Sequence, residues 1–179
     1  MYLQTERLII RDFQVSDWQD VYSYTSNPIV MKYIPEGVFT EQQAEQFVKE
    51  QQSKGKPADK FAVVLKDREQ LVGHLSFERY FGDHTYEIGW VFHPSYYNKG
   101  YATEAAQAVI AYGFQQLNLH RIVATCQPEN PASYKVMEKI GMRKEGFFKQ
   151  CIPYENGWWD ELYYAILQSE WVERVAAKK

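Results

Sequence analysis

The sequence predicts a mixed α/β fold with a central, largely antiparallel sheet, and two features of the chain indicate it. Short alternating apolar segments, typical of strands that bury one face, dominate the first half. After a glycine-containing loop near residue 100, helical apolar spacing alternates with a short continuous apolar segment. A continuous segment of this kind is typical of a strand buried in a parallel pair.

The first half begins with a β-branched, alternating segment over residues 7–13, which predicts the first strand. Ser16 is the expected N-cap of a first helix, which Asn27-Pro28 ends. A capping-box pattern that starts at Thr40 predicts a second helix. Three antiparallel strands are expected next, over residues 60–66, 70–77 and 85–93.

The second half begins with a helix whose apolar residues recur at helical spacing. They are Ala105, Ala106, Val109, Ile110, Gly113, Phe114 and Leu117. Residues 121–126 predict the buried strand, and Asn130 is the expected N-cap of a last helix that ends before Gly141. Residues 146–152 and 160–167 predict two closing strands. The prediction is therefore about seven strands flanked by about four helices.

Length and composition favour one globular domain over residues 1–179. The net charge of −3 argues against a general nucleic-acid binder, which normally shows a basic excess. Cys126 and Cys151 have neither metal-ligand spacing nor a disulfide framework, so reduced cysteines are favoured over a bridge. The N-terminus is no signal peptide, and no apolar stretch approaches the roughly 18 residues of a membrane span. We expect a soluble cytoplasmic protein with no nucleic-acid or membrane partner.

The stretch YNKGYATEA places Asn98, Lys99 and Gly100 between a strand and a helix. A plain tight turn explains it, and so does an anion site, because the first N–H groups of a helix lack intrahelical partners. Gly100 allows close approach of a ligand, and Asn98 tolerates a positive φ. The spacing fits neither a P-loop nor a dinucleotide fingerprint.

The surrounding stretch GWVFHPSYYNKGYATEA resembles the acetyl-CoA-binding motif of the GNAT N-acetyltransferase superfamily, whose core is Gln/Arg-x-x-Gly-x-Gly/Ala. TERLIIRDF resembles the opening strand of the RimJ/RimL-like branch, the ribosomal-protein N-terminal acetyltransferases. ENPASYKVMEKIGMRKEG resembles the second half of that domain, so the similarity runs from about residue 5 to 171. Tyr97 replaces the usual Gln/Arg and Asn98 a common Gly; both positions contribute mainly backbone N–H groups in the family.

The resemblance implies the GNAT fold, acetyl-CoA as cosubstrate and no metal. It also implies which residues bind the cofactor. The pantetheine arm would be held by Trp90, Val91, Phe92 and Asn130, and the pyrophosphate by Tyr97, Asn98, Lys99, Gly100, Tyr101, Ala102 and Thr103. For Trp90–Phe92 a core strand is the other interpretation, and for Asn130 the helix cap alone.

Three residues are candidates for acid–base chemistry. Glu87 lies in an apolar-rich strand, where desolvation raises a carboxyl pKa towards that of a general base. A solvent-facing carboxylate or one paired with an arginine is the alternative. The resemblance implies Ser133 as the acid for the CoA thiolate, with Tyr134 as the second choice, although Ser133 also suits a plain helix start.

The function implied is acetyl transfer from acetyl-CoA to a primary amine, with a catalytically silent CoA- or protein-binding domain as the alternative. Asp160 and Glu161 are interpreted first as edge charges and second as contacts of the amine. The resemblance places aromatic and acidic residues around the acceptor, which suits a cationic amine such as a peptide N-terminus. They are Asp17, Trp18, Tyr22, Tyr33, Glu36, Phe39, Trp158, Trp159, Asp160 and Glu161. The alternative is that the aromatic side chains, Tyr22 and Tyr33 above all, fill the core beneath the helices.

Overall fold

A computed structural model describes residues 1–52, 59–154 and 157–177. These described residues form eight strands and six α-helices, one strand and two helices more than expected. The strands are β1 (Leu3–Gln4), β2 (Leu8–Arg11), β3 (Lys60–Leu65), β4 (Leu71–Arg79), β5 (Thr85–Phe92), β6 (Arg121–Cys126), β7 (Arg143–Tyr154) and β8 (Gly157–Leu167). The helices are α1 (Trp18–Thr25), α2 (Pro28–Met31), α3 (Glu41–Gln51), α4 (Tyr101–Gln115), α5 (Pro131–Ile140) and α6 (Gln168–Ala176).

The chain groups into two compact units. The first unit comprises Met1–Phe77 and Trp90–Ala108, and the second comprises Glu78–Gly89 and Val109–Lys179. Strands β4 and β5 and helix α4 each contribute residues to both units. The expectation of a single acetyltransferase domain over the whole chain stays a prediction.

In the first unit, β1, β2, β3 and β4 are antiparallel neighbours in that order. The N–H of His93 donates to the carbonyl oxygen of Val72 at 2.9 Å, which places the end of β5 beside β4. The two backbones come so close that a Cβ atom on Gly73 would lie 2.4 Å from the carbonyl oxygen of Val91. A side chain at position 73 would therefore displace the end of β5.

Helices α1 and α3 pack on the sheet of the first unit, and an apolar core lies between them and the sheet. Its buried members are Phe13, Val21, Tyr24, Ala44, Val48, Ala62, Val64 and Leu71. Trp18, Tyr22 and Phe39 pack against this core and are partly buried. These three aromatic residues therefore contribute to the core beneath the helices.

Two helix starts differ from those expected. Ser16 does not cap α1; a 3₁₀ turn over Val15–Asp17 leads into the helix, and Asp17 accepts the N–H of Gln14 at 2.7 Å. The stretch expected to end the first helix begins another one, because Asn27 accepts the N–H of Ile29 at 2.9 Å and caps α2. The capping box that starts at Thr40 is confirmed.

In the second unit, β5 and β6 are parallel, and β8 lies antiparallel to both β6 and β7. The predicted parallel pair is therefore confirmed. Asn130 caps α5 by accepting the N–H of Ser133 at 3.3 Å, and Gly141 ends the helix with a φ of 97°, as expected. The sequence did not predict α6, whose Trp171 ring lies 5.7 Å from that of Phe114.

The core of the first unit contains a buried histidine. His74 is 8% exposed, and its Nδ1 lies 2.8 Å from the Tyr24 hydroxyl in a hydrogen bond. Burial, with a smaller contribution from the positive charge of Lys60, lowers the pKa of His74 from 6.5 to about 3. The folded protein therefore holds this imidazole neutral at every pH above that value.

We expect His74 to make the protein acid-sensitive. Below pH 6.5 the unfolded chain binds a proton at this histidine and the folded chain does not, so stability falls as the pH decreases towards about 3. Between about pH 7 and pH 5, the free energy of unfolding should fall by roughly 2 kcal/mol more in the wild type than in His74→Asn. Urea denaturation at both pH values measures this difference. An equal fall in the free energy of unfolding in both proteins would contradict a neutral, buried His74. Only the change between the two pH values is compared, so a lower absolute stability of the variant does not matter.

Candidate active site

A tight turn between β5 and α4 presents the predicted anion site of the first unit. After β5 the chain makes a 3₁₀ turn over Pro94–Tyr96, and α4 begins at Tyr101. Asn98 has a φ of 60° and Gly100 a φ of 81°, so both adopt the left-handed conformation. This confirms the expectation that the stretch requires residues that tolerate a positive φ.

This turn has the local properties of an anion-binding loop. Tyr97, Asn98, Lys99 and Gly100 are exposed, and they precede a helix of 15 residues. The N-terminus of a helix carries a partial positive charge and free N–H donors. The ammonium group of Lys99 lies 5.1 Å from the centroid of the Tyr96 ring, which adds a positive charge beside the loop.

The strand that precedes the loop contains the other predicted cofactor residues of the first unit. Phe92 is buried, while Trp90 and Val91 are partly buried, and Val91 packs against the core. The core-strand interpretation of these residues therefore holds. Their backbone N–H and C=O groups stay candidates for pantetheine binding, because a residue whose side chain packs in the core can still form hydrogen bonds through its backbone.

Glu87 and Glu161 form a carboxylate pair in the second unit, with Thr125 as their common partner. The hydroxyl of Thr125 donates to Oε1 of Glu87 at 2.9 Å. A Thr125 hydrogen bond also lowers the pKa of Glu161. Thr125 is a polar residue that follows the apolar run Ile122–Ala124 in β6, and this is the signal that could have identified it.

Both carboxyl groups have raised pKa values. Burial is the main cause for Glu87; the Thr125 hydrogen bond opposes it, and the charges of Glu161 and Glu78 add to the increase. Burial likewise raises the pKa of Glu161. The pKa values of the two carboxyl groups are therefore closer to that of a useful base than the pKa of an exposed carboxylate is. Two neighbouring carboxylates also attract cations.

The position of Glu87 in the sheet is also distinctive. The parallel pairing of β5 with β6 covers only Thr85–Glu87 and Arg121–Val123. Glu87 therefore lies at the last paired position, opposite Val123. Its neighbour in space is a threonine hydroxyl, and its side chain is partly buried, so the solvent-facing alternative does not describe it.

The predicted acid candidates lie at the start of α5. Ser133 and Tyr134 are partly buried in its first turn. Burial raises the pKa of the Cys126 thiol to about 11, and a hydrogen bond from Ser133 partly opposes this increase. The Ser133 hydroxyl thus has a sulfur neighbour within the second unit, a contact that the sequence did not reveal.

Several residues expected around the acceptor have other roles. Asp17 is 6% exposed and forms an ion pair with Arg11 at 2.6 Å, so its charge is already compensated. Asp160 accepts the N–H of Gln150 at 2.7 Å and ties β8 to β7. Trp159 stacks on Tyr154 with ring centroids 3.8 Å apart. Of this group, Glu161 lies within the carboxylate pair, which the edge-charge interpretation did not anticipate.

The described residues contain neither a metal-ligand cluster nor a membrane-spanning helix. Residues 1–52, 59–154 and 157–177 include no group of three or more His, Cys, Asp or Glu side chains placed to hold a metal ion. Within the same residues, no helix is both long and apolar enough to cross a membrane.

Comparison with known proteins assigns the family. The Acetyltransferase (GNAT) domain model matches residues 7–143. The chain belongs to the GNAT acetyltransferase family. The GNAT fold expected from the sequence is thereby confirmed, with eight described strands where about seven were expected.

Individual relatives agree with this assignment. The uncharacterized N-acetyltransferase YnaD of Bacillus subtilis (strain 168) is 64% identical over 171 residues, which cover 96% of this chain and 99% of the relative. The crystal structure of an acetyltransferase (GNAT family) from Bacillus anthracis superposes with a TM-score of 0.90 at 60% identity, covering 94% of this chain and 99% of the other. This GNAT protein is therefore an acetyl-CoA-dependent N-acetyltransferase.

A more distant relative supports the RimJ-like resemblance. The ribosomal protein uS5-alanine N-acetyltransferase of Escherichia coli (strain K12) is 26% identical over 113 residues. The match covers 62% of this chain and 58% of the relative. The branch suggested by TERLIIRDF is thus found among the relatives of this GNAT protein.

Proposed function

We propose that this GNAT enzyme acetylates a cationic primary amine, with a protein or peptide N-terminus as the favoured acceptor, by direct attack in a ternary complex. The observation that carries the proposal is the partly buried pair of Glu87 and Glu161 around Thr125. Two carboxylates attract a protonated amine, and a raised pKa lets one of them accept its proton.

Acetyl-CoA binding is assigned to the loop and strand of the first unit, and to the cap of α5. The loop of residues 97–103 would bind the pyrophosphate, because Asn98 and Gly100 adopt left-handed conformations at a helix N-terminus. Its N–H donors would follow Tyr97, whose own N–H donates to the carbonyl oxygen of Pro94 at 3.1 Å. The backbone of Trp90, Val91 and Phe92 and the amide of Asn130 would hold the pantetheine arm. A backbone N–H of this strand would also stabilise the oxyanion.

The proposed chemistry needs one base and one acid. Glu87 takes a proton from the ammonium group, and the freed amine nitrogen attacks the thioester carbonyl carbon. The C–N bond forms, the C–S bond breaks, and the electron pair leaves with the CoA sulfur. Ser133 then donates its hydroxyl proton to this thiolate, with Tyr134 as the alternative donor. The nitrogen still carries one extra proton after the attack, and this proton passes through solvent water to restore the donor hydroxyl. The two residues share the first turn of α5, which is why both remain candidates.

The preference for an N-terminus follows from acidity. An α-amino group has an unperturbed pKa near 7.8 and lysine one near 10.4, so the neutral fraction at neutral pH differs by roughly 300-fold. Less work is therefore needed to deprotonate an N-terminus. The uS5-alanine N-acetyltransferase of Escherichia coli, whose name specifies a ribosomal-protein acceptor, supports the same preference.

We expect acetyl-CoA to bind with EDTA present, and Gly100→Glu to abolish this binding. A carboxylate at residue 100 would meet the pyrophosphate at close range and repel it. Isothermal titration calorimetry measures the saturable heat. Gly82→Glu is the matched control, because Gly82 also has a positive φ of 65° and open space around its Cβ position. Loss of binding in both variants, or in neither, would refute the loop assignment.

We expect Glu87→Gln and Ser133→Ala to lower kcat more than they raise the KM for acetyl-CoA. General acid–base steps are worth about 10²–10⁴-fold in rate. The kcat of the wild type should also fall as the pH decreases through the raised pKa of Glu87, because the base must be deprotonated, and Glu87→Gln should lack this limb. Thiol release measured across pH gives both quantities.

Matched controls exist for both substitutions. Glu45→Gln changes an exposed carboxylate that pairs with Lys49 on α3, and Ser169→Ala changes an exposed hydroxyl in the first turn of α6. Both should behave like the wild type. If Glu87→Gln and Ser133→Ala also kept the wild-type kcat, positioning and solvent water would account for catalysis.

We expect peptides with a free N-terminus to be acetylated faster than the same peptides with a blocked N-terminus and an internal lysine. The lower pKa of the α-amino group is the reason. Mass spectrometry locates the acetyl group and thiol release gives the rate. Equal rates would remove the N-terminal preference. Faster turnover of an anionic amino acid than of either peptide would contradict a cationic acceptor.

A further inference from the structure

Arg7, immediately before β2, contacts the loop and the first turn of α4 within the first unit. Its Nη1 donates to the carbonyl oxygen of Lys99 at 3.0 Å, and its guanidinium lies 4.5 Å from the centroid of the Tyr101 ring. A Cβ atom on Gly100 would lie 3.4 Å from Nη2. Arg7 is separated from the loop by more than 90 residues of sequence, since its bond to Lys99 spans 92 positions.

Glu104 anchors this arginine. Nε of Arg7 donates to Oε2 of Glu104 at 2.6 Å, and the backbone N–H of Arg7 donates to Oε1 at 2.9 Å. The Thr5 hydroxyl donates to the same Oε1 at 2.6 Å. Burial alone would raise the pKa of the Glu104 carboxyl, but the hydrogen bonds from Thr5 and Arg7 and the guanidinium charge outweigh it and lower this pKa. The carboxylate therefore stays ionised.

A negative charge at this place needs compensation. Glu104 lies in the first turn of α4, the helix whose N-terminus would face the pyrophosphate. An uncompensated carboxylate there would repel an anion. Its four-way contact with Thr5 and Arg7 directs both oxygens to these donors and pairs the charge with a guanidinium at 2.6 Å.

The bond to Lys99 has a geometric consequence. A trans peptide unit is planar, so its C=O and N–H point in opposite directions. When Arg7 holds the carbonyl oxygen of Lys99, the N–H of Gly100 in the same peptide unit points away from Arg7. An anion that accepts the N–H of Gly100 therefore faces the positive end of this peptide dipole and not the carbonyl oxygen of Lys99, as an anion site requires.

We infer that Arg7 is a positioning residue for the pyrophosphate loop: anchored by Glu104, it orients the Lys99–Gly100 peptide and neutralises the carboxylate at the helix start. This inference rests on the proposed function, because it takes residues 97–103 as the pyrophosphate site. Arg7 acts on acetyl-CoA through the loop and not through the reacting atoms.

The test compares two acetyl donors. Acetyl-CoA has the pyrophosphate, and S-acetyl-pantetheine lacks it. Arg7→Met should raise the KM for acetyl-CoA by about tenfold or more, the size expected of a coupled charge network, while leaving the KM for S-acetyl-pantetheine near the wild-type value. The kcat at saturating acetyl-CoA should change little. Arg7→Lys should fall between wild type and Arg7→Met, because an ammonium keeps the charge but lacks the planar fork that reaches two acceptors.

A double variant separates the two roles of Arg7. In Arg7→Met/Glu104→Gln the repulsive carboxylate is gone, so the KM for acetyl-CoA should recover part of the way towards wild type. It should not recover fully, since the Lys99–Gly100 peptide is no longer held. Two variants are the controls. Arg68→Met removes an exposed guanidinium paired with Asp67, and Arg11→Lys, at the end of β2, alters the ion pair with Asp17. Neither should change the ratio of the two KM values.

Three results would overturn the inference. An equal rise in KM for both donors would make Arg7 a general structural residue, and an unchanged KM for acetyl-CoA in Arg7→Met and Arg7→Lys would remove its role altogether. If Arg7→Met does not fold, the ratio of the KM values for acetyl-CoA and S-acetyl-pantetheine in Arg7→Lys decides alone. If the wild-type enzyme had the same KM for both donors, residues 97–103 would not be the pyrophosphate site. That result would refute the proposed loop assignment and the inference with it.

Discussion

The close approach of β5 to β4 at Gly73 is the constraint on which the position of the loop before α4 depends. A Cβ atom there would lie 2.4 Å from the carbonyl oxygen of Val91 and 2.9 Å from Cα of Phe92. Strand β5 contains Glu87 and leads into the loop before α4. The absence of one side chain on the neighbouring strand therefore sets where the end of β5 lies, and the start of the loop follows from it.

The two units have opposite local electrostatics. In the first, the N-terminus of α4 and Lys99 provide positive potential beside Gly100, while Arg7 neutralises Glu104. In the second, Glu87 and Glu161 share Thr125 and have raised pKa values, mainly because they are partly buried. In the proposed function, the anionic cosubstrate meets the positive groups and the cationic acceptor meets the carboxylates. The net charge of −3 conceals this separation, because it sums over the whole chain.

Packing decides which aromatic and acidic residues are free for binding. Trp18, Tyr22 and Phe39 contribute to the core beneath α1 and α3, and Asp17 is committed to Arg11. They are therefore weaker candidates for contacts with the acceptor than the sequence suggested. In the second unit, the Tyr80 and Tyr163 rings lie 6.1 Å apart, and the charges of Glu87 and Glu161 add to the burial that raises the pKa of Tyr80. An aromatic side chain thus lies near the carboxylate pair, which suits the cationic acceptor of the proposed function.

The sequence by itself determined the order of the main strands and helices, the caps at Thr40 and Asn130, and the left-handed residues of the loop. These features follow from local rules, in which a residue and its neighbours within a few positions set the backbone. Asn27-Pro28 follows the end of the first helix as expected, but it also begins α2, which the sequence did not predict. Only the tertiary structure joined Thr125 to Glu87 across 38 positions and Arg7 to Glu104 across 97. Such partners have no sequence spacing to reveal them, because strand pairing and core packing, not chain proximity, bring them together.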